Sequence, residues 1–311
     1  MRKYIPAGKR FDREAPCGGE RQAAMAGRLY VVGTPIGNLG DMSPRGREIL
    51  GAVDFIAAED TRVTLKLLNH FEIKKPMVSY YEHNLREKGE YILSRIMAGE
   101  SCAIVTDAGM PCISDPGEDL VRLAAQEGVE VVAVPGPAAV VSALAVSGLS
   151  TARFAFEGFL SVNRRSRMEH LESLRNDRHT LIFYEAPHKL LSTLEDMLAV
   201  WGDRRIALAR ELTKIHEEVV RITLSQAVER YREQTPKGEF VLVVEGAGEP
   251  VQEEISLEAA VEQVRERLRA GEPLSAASKA VSRATGYPKS LLYRGALDSQ
   301  EHAEREADSV E

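Results

Sequence analysis

The chain from Arg28 to about Ser150 alternates short apolar runs with longer stretches of helical periodicity. This alternation is typical of β-α units and predicts a mostly parallel sheet. The predicted strands are Leu29 to Val32, Asp54 to Ala58, Met77 to Tyr80, Cys102 to Thr106 and Glu130 to Val134. The first predicted helix has Ser43 as its N-cap, begins at Pro44 and ends at about Gly51. The other predicted helices are Glu87 to Ala98, Glu118 to Gln126 and Ala138 to Ser147.

A polar break at Gly148 to Thr151 precedes a second set of apolar runs, so we expect a domain boundary at residue 151. The runs predict strands at Phe154 to Phe159, Thr180 to Tyr184, Arg205 to Ala209, Val219 to Leu224 and Phe240 to Glu245. After a linker at Gly246 to Glu254, three helices are predicted, Leu257 to Arg269, Leu274 to Thr285 and Lys289 to Leu297. The expected organisation is two α/β domains, residues 28–150 and 151–246, and a helical domain over residues 255–297.

Neither end of the chain has the periodicity of a folded element. Residues 1–27 are basic and lack the apolar core of a secretion signal, so we expect a disordered extension. Met25 lies just before the first predicted strand and is an alternative start, which an N-terminal peptide map would test. Residues 298–311 hold six acids against one arginine and predict an acidic, disordered tail.

Composition excludes several classes of protein. At 311 residues and 44% hydrophobic content, the chain suits two compact domains, and its apolar runs are too short to cross a bilayer. Three cysteines without a C-x-x-C pair fit a reducing cytoplasm, and seven histidines without a clustered motif predict no metal site. The net charge of −7 argues weakly against nucleic acid, but the tail carries much of it, so basic surfaces remain elsewhere.

Three Gly/Pro-rich loops follow strand-like runs. They are GTPIGNLGD (Gly33 to Asp41), TDAGMPCISDPG (Thr106 to Gly117) and PGPAAVVSA (Pro135 to Ala143). One such loop can be a plain turn, but several at the carboxyl ends of parallel strands favour a ligand site, because glycine permits close backbone approach. The patterns G-x-G-x-x-G and G-x-x-x-x-G-K-[ST] are both absent, which argues against a ligand held by its phosphates.

Basic residues cluster at two places. They are Arg164, Arg165 and Arg167 in the stretch SVNRRSR, and Lys279, Arg283 and Lys289 in the C-terminal helices. Clusters without acids are typical of contacts with nucleic-acid phosphates, and short helices joined by a Gly-containing turn suit a helix-turn-helix. Solvated charge at a helix start and a plain three-helix appendage are the alternatives.

Eight stretches of the chain carry a family resemblance. They are LYVVGTPIGNLGD, AAEDTRVTLKLL, SYYEHN, TDAGMPCISDPG, VPGPAAVVSAL, FYEAPHKL, ARELTKIHEE and GEFVLVVEG, and they span about Leu29 to Gly246. In this order they resemble the tetrapyrrole methylase-like superfamily of S-adenosylmethionine-dependent methyltransferases, and more closely the bacterial 16S rRNA (cytidine-2′-O) methyltransferases. The resemblance implies two α/β domains with S-adenosylmethionine in the cleft between them, and a cytoplasmic homodimer that acts on 16S rRNA of the small ribosomal subunit.

The resemblance also implies which residues lie around the methyl donor. These are Gly33, Thr34 and Pro35 in the first loop, Asp107, Gly109, Met110, Pro111 and Ile113 in the second, Pro135, Ala138 and Ala139 in the third, and Leu212 beside the adenine. The donor carries no phosphate, which agrees with the absence of a phosphate-binding loop. Ordinary core packing is the alternative for Met110 and Ile113.

Methyl transfer to a ribose 2′-hydroxyl needs aligned reactants, an acceptor for the hydroxyl proton and a cation near the developing oxyanion. Charged residues that follow three of the predicted strands are the candidates. They are Asp60, Glu185 or Glu211 as proton acceptor, and Arg62 or Lys214 as the cation. Mutual pairing of Asp60 with Arg62, or of Glu211 with Lys214, is the alternative.

Two other functions fit parts of the pattern. A tetrapyrrole C-methyltransferase would share the fold and the donor, and a ribosome-binding factor would retain the cleft without activity. The segments AEDTR, YEAPH and RELTK and the basic C-terminal helices favour RNA as the substrate. Methyl-transfer assays with a precorrin and with small-subunit particles test the first alternative, and calorimetry with S-adenosylmethionine tests the second.

Overall fold

The computed structural model describes residues 27–115, 117–248 and 256–297, which divide after Ala247 into two compact units. The first unit begins with a five-stranded sheet in the order β3-β2-β4-β1-β5. All of its strand pairs are parallel, which confirms the prediction from the β-α alternation. The strands are β1 (Arg28–Val32), β2 (Phe55–Ala58), β3 (Met77–Ser79), β4 (Cys102–Val105) and β5 (Glu130–Val134).

Helices cover both faces of this sheet, so the residues of β1 alternate between two apolar clusters. Tyr30 and Val32 pack in one cluster and Leu29 and Val31 in the other. The helices are α1 (Pro44–Ala52), α2 (Thr61–His70), α3 (Leu85–Met97), α4 (Glu118–Gln126) and α5 (Ala139–Ser147), with 3₁₀ turns at Leu39–Asp41 and Glu82–Asn84. The sequence pattern predicts all of these helices except α2, whose first turn contains β-branched residues of low helix propensity.

A second, mixed sheet lies in the same unit, in the order β6-β7-β10-β8-β9. Only β6 and β7 pair in parallel, and the other pairs are antiparallel. Its strands are β6 (Phe154–Phe159), β7 (Thr180–Glu185), β8 (Arg205–Arg210), β9 (Glu218–Thr223) and β10 (Phe240–Val244). Its helices are α6 (Arg164–Ser173), α7 (Leu190–Trp201) and α8 (Leu224–Glu233).

Helix α5 joins the two sheets. It follows β5 of the first sheet, but its side chains Val140 and Leu144 pack on the second sheet against Ile182 and Val243. Helices α6 to α8 contribute to the core on the opposite face, around Phe183. Because α5 covers one face only in part, the edge of that face beside the first sheet stays open.

The described part of the second compact unit, residues 256–297, contains three helices. These are α9 (Leu257–Arg269), α10 (Leu274–Thr285) and α11 (residues 289–297), as the sequence predicts. A small apolar core that includes Val264, Ala277 and Leu292 holds them together. Gly286 ends α10 with a φ of 77°, a left-handed conformation that glycine adopts without strain.

The predictions of disorder for residues 1–27 and 298–311 fall almost wholly outside the described residues, which begin at Gly27 and end at Leu297. The position of Met25 also lies outside them. None of the described helices has the length and apolar character needed to cross a membrane.

Candidate active site

A cleft of about 760 Å³ lies between the two sheets of the first unit, a volume within the usual range for small-molecule sites. The loops after β1, β2, β4 and β5 form one side, which we name the acidic wall. It includes Ile36, Glu59, Thr106 to Met110, Ile113 to Asp115 and Ala138 to Val141. Residues of β6 and β10 and the ends of β7 and β8 form the other side, the aromatic wall. It includes Phe156, Phe159, Tyr184 to Pro187, Ala209, Glu211, Leu212, Lys214 and Glu239 to Val241.

Backbone contacts fasten the predicted donor loops to one another. The Thr34 N–H donates to the Gly109 carbonyl at 2.9 Å, and the Gly109 N–H donates to the Thr34 carbonyl at 3.1 Å. A Cβ on Gly33 would lie 2.7 Å from the Gly136 Cα, closer than van der Waals contact permits. Glycine is therefore needed where the first and third loops meet.

The structure brings most of the predicted donor residues to the cleft itself. Asp107, Gly109, Met110, Ile113, Ala138, Ala139 and Leu212 line it. Gly33, Thr34, Pro35, Pro111 and Pro135 lie in the same loops but are not among the lining residues, and Ile36 takes the place expected for the first loop. Thr34 is buried and its hydroxyl donates to the Thr106 carbonyl at 3.2 Å. It therefore stabilises the backbone of the loops that line the cleft.

Strained backbone is concentrated in the loops of the cleft. Cys112 and Ser114 in the second loop have φ values of 69° and 66°, and Glu211 and Thr213 after β8 have values of 50° and 66°. In the part of the chain that the structure describes, Glu72 is the only other non-glycine residue with positive φ. Such conformations persist where surrounding contacts impose them and are common at functional sites.

Three carboxylates, Glu59, Asp107 and Asp115, characterise the acidic wall. The Thr106 hydroxyl donates to Glu59 Oε2 at 2.6 Å. Burial, and then the nearby charge of Glu59, raise the pKa of Asp107, and the same two causes raise the pKa of Asp115 to about 6. The wall therefore favours a cationic ligand. Glu59 and Asp115 are not among the predicted site residues, although each lies within a motif that carries the family resemblance.

Asp60 and Arg62 pair with each other at the start of α2, outside the lining of the cleft. Asp60 accepts from the Arg62 backbone N–H at 2.8 Å and from Nη2 at 2.6 Å, so it caps the helix and binds the guanidinium. These hydrogen bonds lower the pKa of Asp60 to about 2. The structure therefore contains the alternative arrangement, in which Asp60 and Arg62 pair with each other. A carboxylate with so low a pKa is a weak base.

Glu185 lies in the cleft wall but is buried and fully engaged. Its Oε1 accepts from the Ala186 N–H at 2.8 Å and pairs with Lys189 Nζ at 3.0 Å. Its Oε2 accepts from the Thr193 hydroxyl at 2.6 Å. Because each oxygen already has a donor, Glu185 is suited to orienting the end of β7 rather than to accepting a substrate proton.

Glu211 and Lys214 form a three-residue network with Glu239 at the edge of the cleft. Lys214 Nζ lies 2.9 Å from Glu211 Oε1 and 3.0 Å from Glu239 Oε2. Hydrogen bonds from Lys214 and from the Glu239 N–H lower the pKa of Glu211. Burial lowers the pKa of Lys214, but its bonds to both glutamates outweigh burial and raise the pKa overall. Lys214 thus presents a stable positive charge.

Three of the aromatic residues on the opposite wall, Phe156, Phe159 and Tyr184, contact one another. The Phe156 and Tyr184 ring centroids are 4.9 Å apart, and those of Phe159 and Tyr184 are 5.4 Å apart. Phe159 remains 58% exposed at the mouth of the cleft. Sequence reasoning did not select these residues, because aromatic residues in a strand are ordinarily core.

The predicted RNA-binding arginines differ in exposure. Arg164 and Arg165 have side chains that are 73% and 88% exposed, although Arg164 also bonds Asp196 and Arg165 bonds Glu169. Arg167 is buried, pairs with Asp196 at 2.7 Å and donates to the Ser161 carbonyl at 3.0 Å. Its position differs from the surface contact that the sequence predicts, because it lies on the inward face of α6 and satisfies a buried carboxylate.

In the second unit, the predicted basic residues Lys279, Arg283 and Lys289 are all exposed. Lys289 donates to the Ser275 hydroxyl at 2.9 Å and lines a shallow groove with Tyr293 and Arg294. The geometry permits contact with phosphates.

Metal-binding and disulfide chemistry find no support among the described residues. Within these ranges, no group of three or more His, Cys, Asp or Glu side chains could hold a metal ion. Cys102 and Cys112 are free thiols.

Comparison with known proteins identifies the relatives of the chain. The family profile of the tetrapyrrole (corrin/porphyrin) methylases matches residues 28–228. Proteins named ribosomal RNA small subunit methyltransferase I are similar at full length. The one from Synechocystis sp. is 46% identical over 273 residues, which cover 88% of this chain and 98% of that protein. The one from Escherichia coli O157:H7 is 43% identical over 277 residues, 88% of this chain and 96% of its own.

A relative of the same name from Thermotoga maritima is shorter. It is 47% identical over 220 residues, which cover 99% of its length but only 71% of this chain. It is therefore too short to contain counterparts of all the elements described above.

Solved structures agree with the fold. A cobalt precorrin-4 methyltransferase has a TM-score of 0.52 at 19% identity and covers 70% of this chain and 94% of its own. A diphthine synthase has a TM-score of 0.52 at 16% identity, covering 70% of this chain and 89% of its own. At such low identity these similarities demonstrate the fold alone. With two α/β domains, a shared cleft and a profile match over most of its length, the chain belongs to the tetrapyrrole methylase family.

Proposed function

We propose that the protein is an S-adenosylmethionine-dependent methyltransferase of small-subunit ribosomal RNA. The observation that carries the proposal is identity of 46% over nearly the whole length of a relative whose name states that activity. The motif resemblance refines the reaction to the ribose 2′-hydroxyl of a cytidine in the decoding region of 16S rRNA. The enzyme would act in the cytoplasm as a homodimer, as the resemblance implies.

The cleft is compatible with the methyl donor. S-adenosylmethionine, when bound, supplies a methyl group activated by a positively charged sulfonium. Asp107 and Asp115 would favour that cationic region, and Gly109, Met110 and Ala138 line the adjoining space. The closely packed backbone at Gly33 and Gly136 would hold the three loops in one arrangement, so the donor would be bound without reorganisation of the floor.

The geometry changes which carboxylate is best suited to accept the hydroxyl proton. Asp60 and Glu211 have lowered pKa values, and both oxygens of Glu185 already accept hydrogen bonds. Asp115, with a pKa raised to about 6, is the cleft carboxylate best matched to a base that works near neutral pH. Lys214 keeps its proton and is suited to stabilising the developing oxyanion.

Nucleic acid would approach the aromatic wall, and each unit also carries exposed basic residues. In the first unit, Arg164 and Arg165 at the start of α6 have exposed side chains. In the second unit, the exposed basic residues are Lys279, Arg283 and Lys289. We propose that the C-terminal helices, with these exposed basic side chains, strengthen RNA binding.

The decisive experiment is mass mapping of 2′-O-methyl groups in 16S rRNA from cells with and without this gene. Loss of one 2′-O-methylcytidine in the decoding region on deletion, and its return with the purified protein, is the expected result. Identical maps would contradict the proposal.

The principal rival within the family is a tetrapyrrole C-methyltransferase, because the cobalt precorrin-4 methyltransferase has the same fold. Methyl transfer to a precorrin, without transfer to small-subunit particles, would favour that rival. Failure to bind S-adenosylmethionine in calorimetry would instead favour a ribosome-binding factor without activity.

A further inference from the structure

An irregularity in β6 orients Phe159. The β6 and β7 strands pair in parallel, with Phe156 beside Ile182 and Phe159 beside Tyr184, and the register shifts between Phe156 and Gly158. In a regular strand, residues three positions apart point to opposite faces. The extra residue in the bulge therefore brings Phe156 and Phe159 to the same face as Tyr184.

The bulge has a clear local cause in the sequence. Gly158 has a φ of 67°, a left-handed conformation that glycine adopts readily and other residues rarely do. Glu157, the residue before it, turns away from the cleft and pairs with His170 Nε2 at 2.9 Å. Bulges near active sites commonly re-aim a side chain, and here the side chain is an exposed phenylalanine.

The result is an aromatic platform, which we define as Phe156, Phe159 and Tyr184. Its inner members pack against α5 and the second sheet, while Phe159 stays 58% exposed at the cleft mouth. Lys189 Nζ lies 5.8 Å from the Phe159 ring centroid, where its charge is compensated by Glu185 at 3.0 Å, so the platform itself carries no net charge from this pair. A planar, electron-rich ring can stack on a nucleobase.

The chain beyond Phe159 supports the same occupant. Four residues separate it from Arg164 and Arg165, whose exposed guanidinium groups are suited to phosphates. Buried Arg167 donates to the Ser161 carbonyl and so anchors this connection. The exposed ring of Phe159, the nearby cations Arg164 and Arg165 and the adjoining cleft together match one nucleotide of a single-stranded RNA segment.

We propose that Phe159 is the stacking surface for an unstacked base of the RNA acceptor, and that this contact sets its ribose beside the donor. The inference rests on the proposed function and adds the substrate-binding residue to it. The competing occupant of the platform is the adenine of the donor. The experiment below distinguishes this adenine from a base of the RNA.

The experiment compares full-length wild type with F159A, F159W and F154A. Phe154 lies on the same strand, is 43% exposed and is not part of the cleft, so F154A controls for loss of an exposed phenylalanine. Three quantities are measured: kcat and KM for small-subunit particles, affinity for the particles without donor, and affinity for S-adenosylmethionine by calorimetry.

We expect F159A to weaken particle binding and to lower kcat/KM by about 5- to 150-fold, the range found for loss of one base-stacking contact. Donor affinity should stay unchanged, F159W should restore the activity, and F154A should match wild type. Unchanged kcat/KM in F159A would overturn the inference, and weakened donor binding would assign the platform to the adenine. Absence of methylation by wild type would instead refute the proposed function, so the two failures are distinct.

Discussion

The two walls of the cleft are stabilised by different kinds of interaction. The acidic wall is held by backbone contacts between glycine-rich loops, and its carboxylates Asp107 and Asp115 have raised pKa values. On the aromatic wall, charged groups such as Glu185 and Glu211 are bonded to lysines within local networks. One wall therefore retains charge for a cationic ligand, while the other offers rings and compensated charge to an anionic polymer.

The largest effect is expected behind the aromatic wall, from R167A. Removal of the guanidinium leaves Asp196, whose side chain is 5% exposed, with the exposed Arg164 as its remaining charged partner. Loss of one partner of a buried pair costs about 3–5 kcal/mol of the free energy of unfolding, and the bond to Arg164 places R167A at the lower end of that range. Denaturant unfolding measures it, with R165A as the control, since its exposed pair with Glu169 is worth at most about 1 kcal/mol. Equal losses in both variants would contradict the structural role of Arg167.

The next effect is expected at the floor of the acidic wall, from G33A. The added methyl would meet the Gly136 Cα and the Met110 Sδ, each at 2.7 Å, so the loops must separate. We expect donor affinity, measured by calorimetry, to fall, and methyl transfer to fall about 100-fold, the loss that a misplacement of about 1 Å causes at a catalytic site. G51A is the matched control, because no atom lies within 4 Å of its added Cβ. Normal donor binding by G33A would show that the floor is not the donor site.

D115N probes the raised pKa of Asp115 in the acidic wall. The Asp115 pKa is raised from 3.8 to about 6, so the folded protein binds more protons than the unfolded chain between these pH values. Wild-type stability should therefore decrease as pH rises through this window. D115N should be more stable than wild type by about 1–3 kcal/mol above it, and the gain should vanish at low pH. If Asp115 is the base, kcat also falls.

D60N is the contrasting control, because the Asp60 pKa is lowered to about 2 by its bonds to Arg62. The stabilisation from Asp60 is present above its unfolded pKa and is lost as pH falls through the folded value. D60N should therefore be less stable than wild type at neutral pH, the opposite sign to D115N. Melting temperatures across pH measure both, and shifts of the same sign would contradict the assignment.

The smallest expected effect is on the salt dependence of RNA binding, in R164A/R165A at the start of α6. Loss of two phosphate contacts should reduce the slope of log affinity against log salt by about 2. Titration of RNA binding over a range of salt measures the slope. RNA affinity that is unchanged at every salt concentration would reject the contact.

The sequence alone was sufficient for regular elements whose pattern is local. The five parallel strands of the first sheet and the helices α9 and α10 follow apolar periodicity and capping residues, which act over a few positions. Helix α2 lacks a clear sequence signal, because the capping role of Asp60 depends on its bond to the Arg62 N–H, which only the fold shows. The cluster of arginines at the start of α6 likewise does not indicate that Arg167 is buried.

The motifs predicted that the loops of Gly33, Asp107 and Ala138 surround one site, and the structure brings these three loops together at the cleft. Tertiary structure decided which charges are available and where rings point. The pKa of Asp115 depends on burial and on Glu59, which lies 56 positions earlier in the sequence. The orientation of Phe159 depends on a register shift against β7. Electrostatics and register are properties of neighbours distant along the chain, so no local pattern of residues encodes them alone.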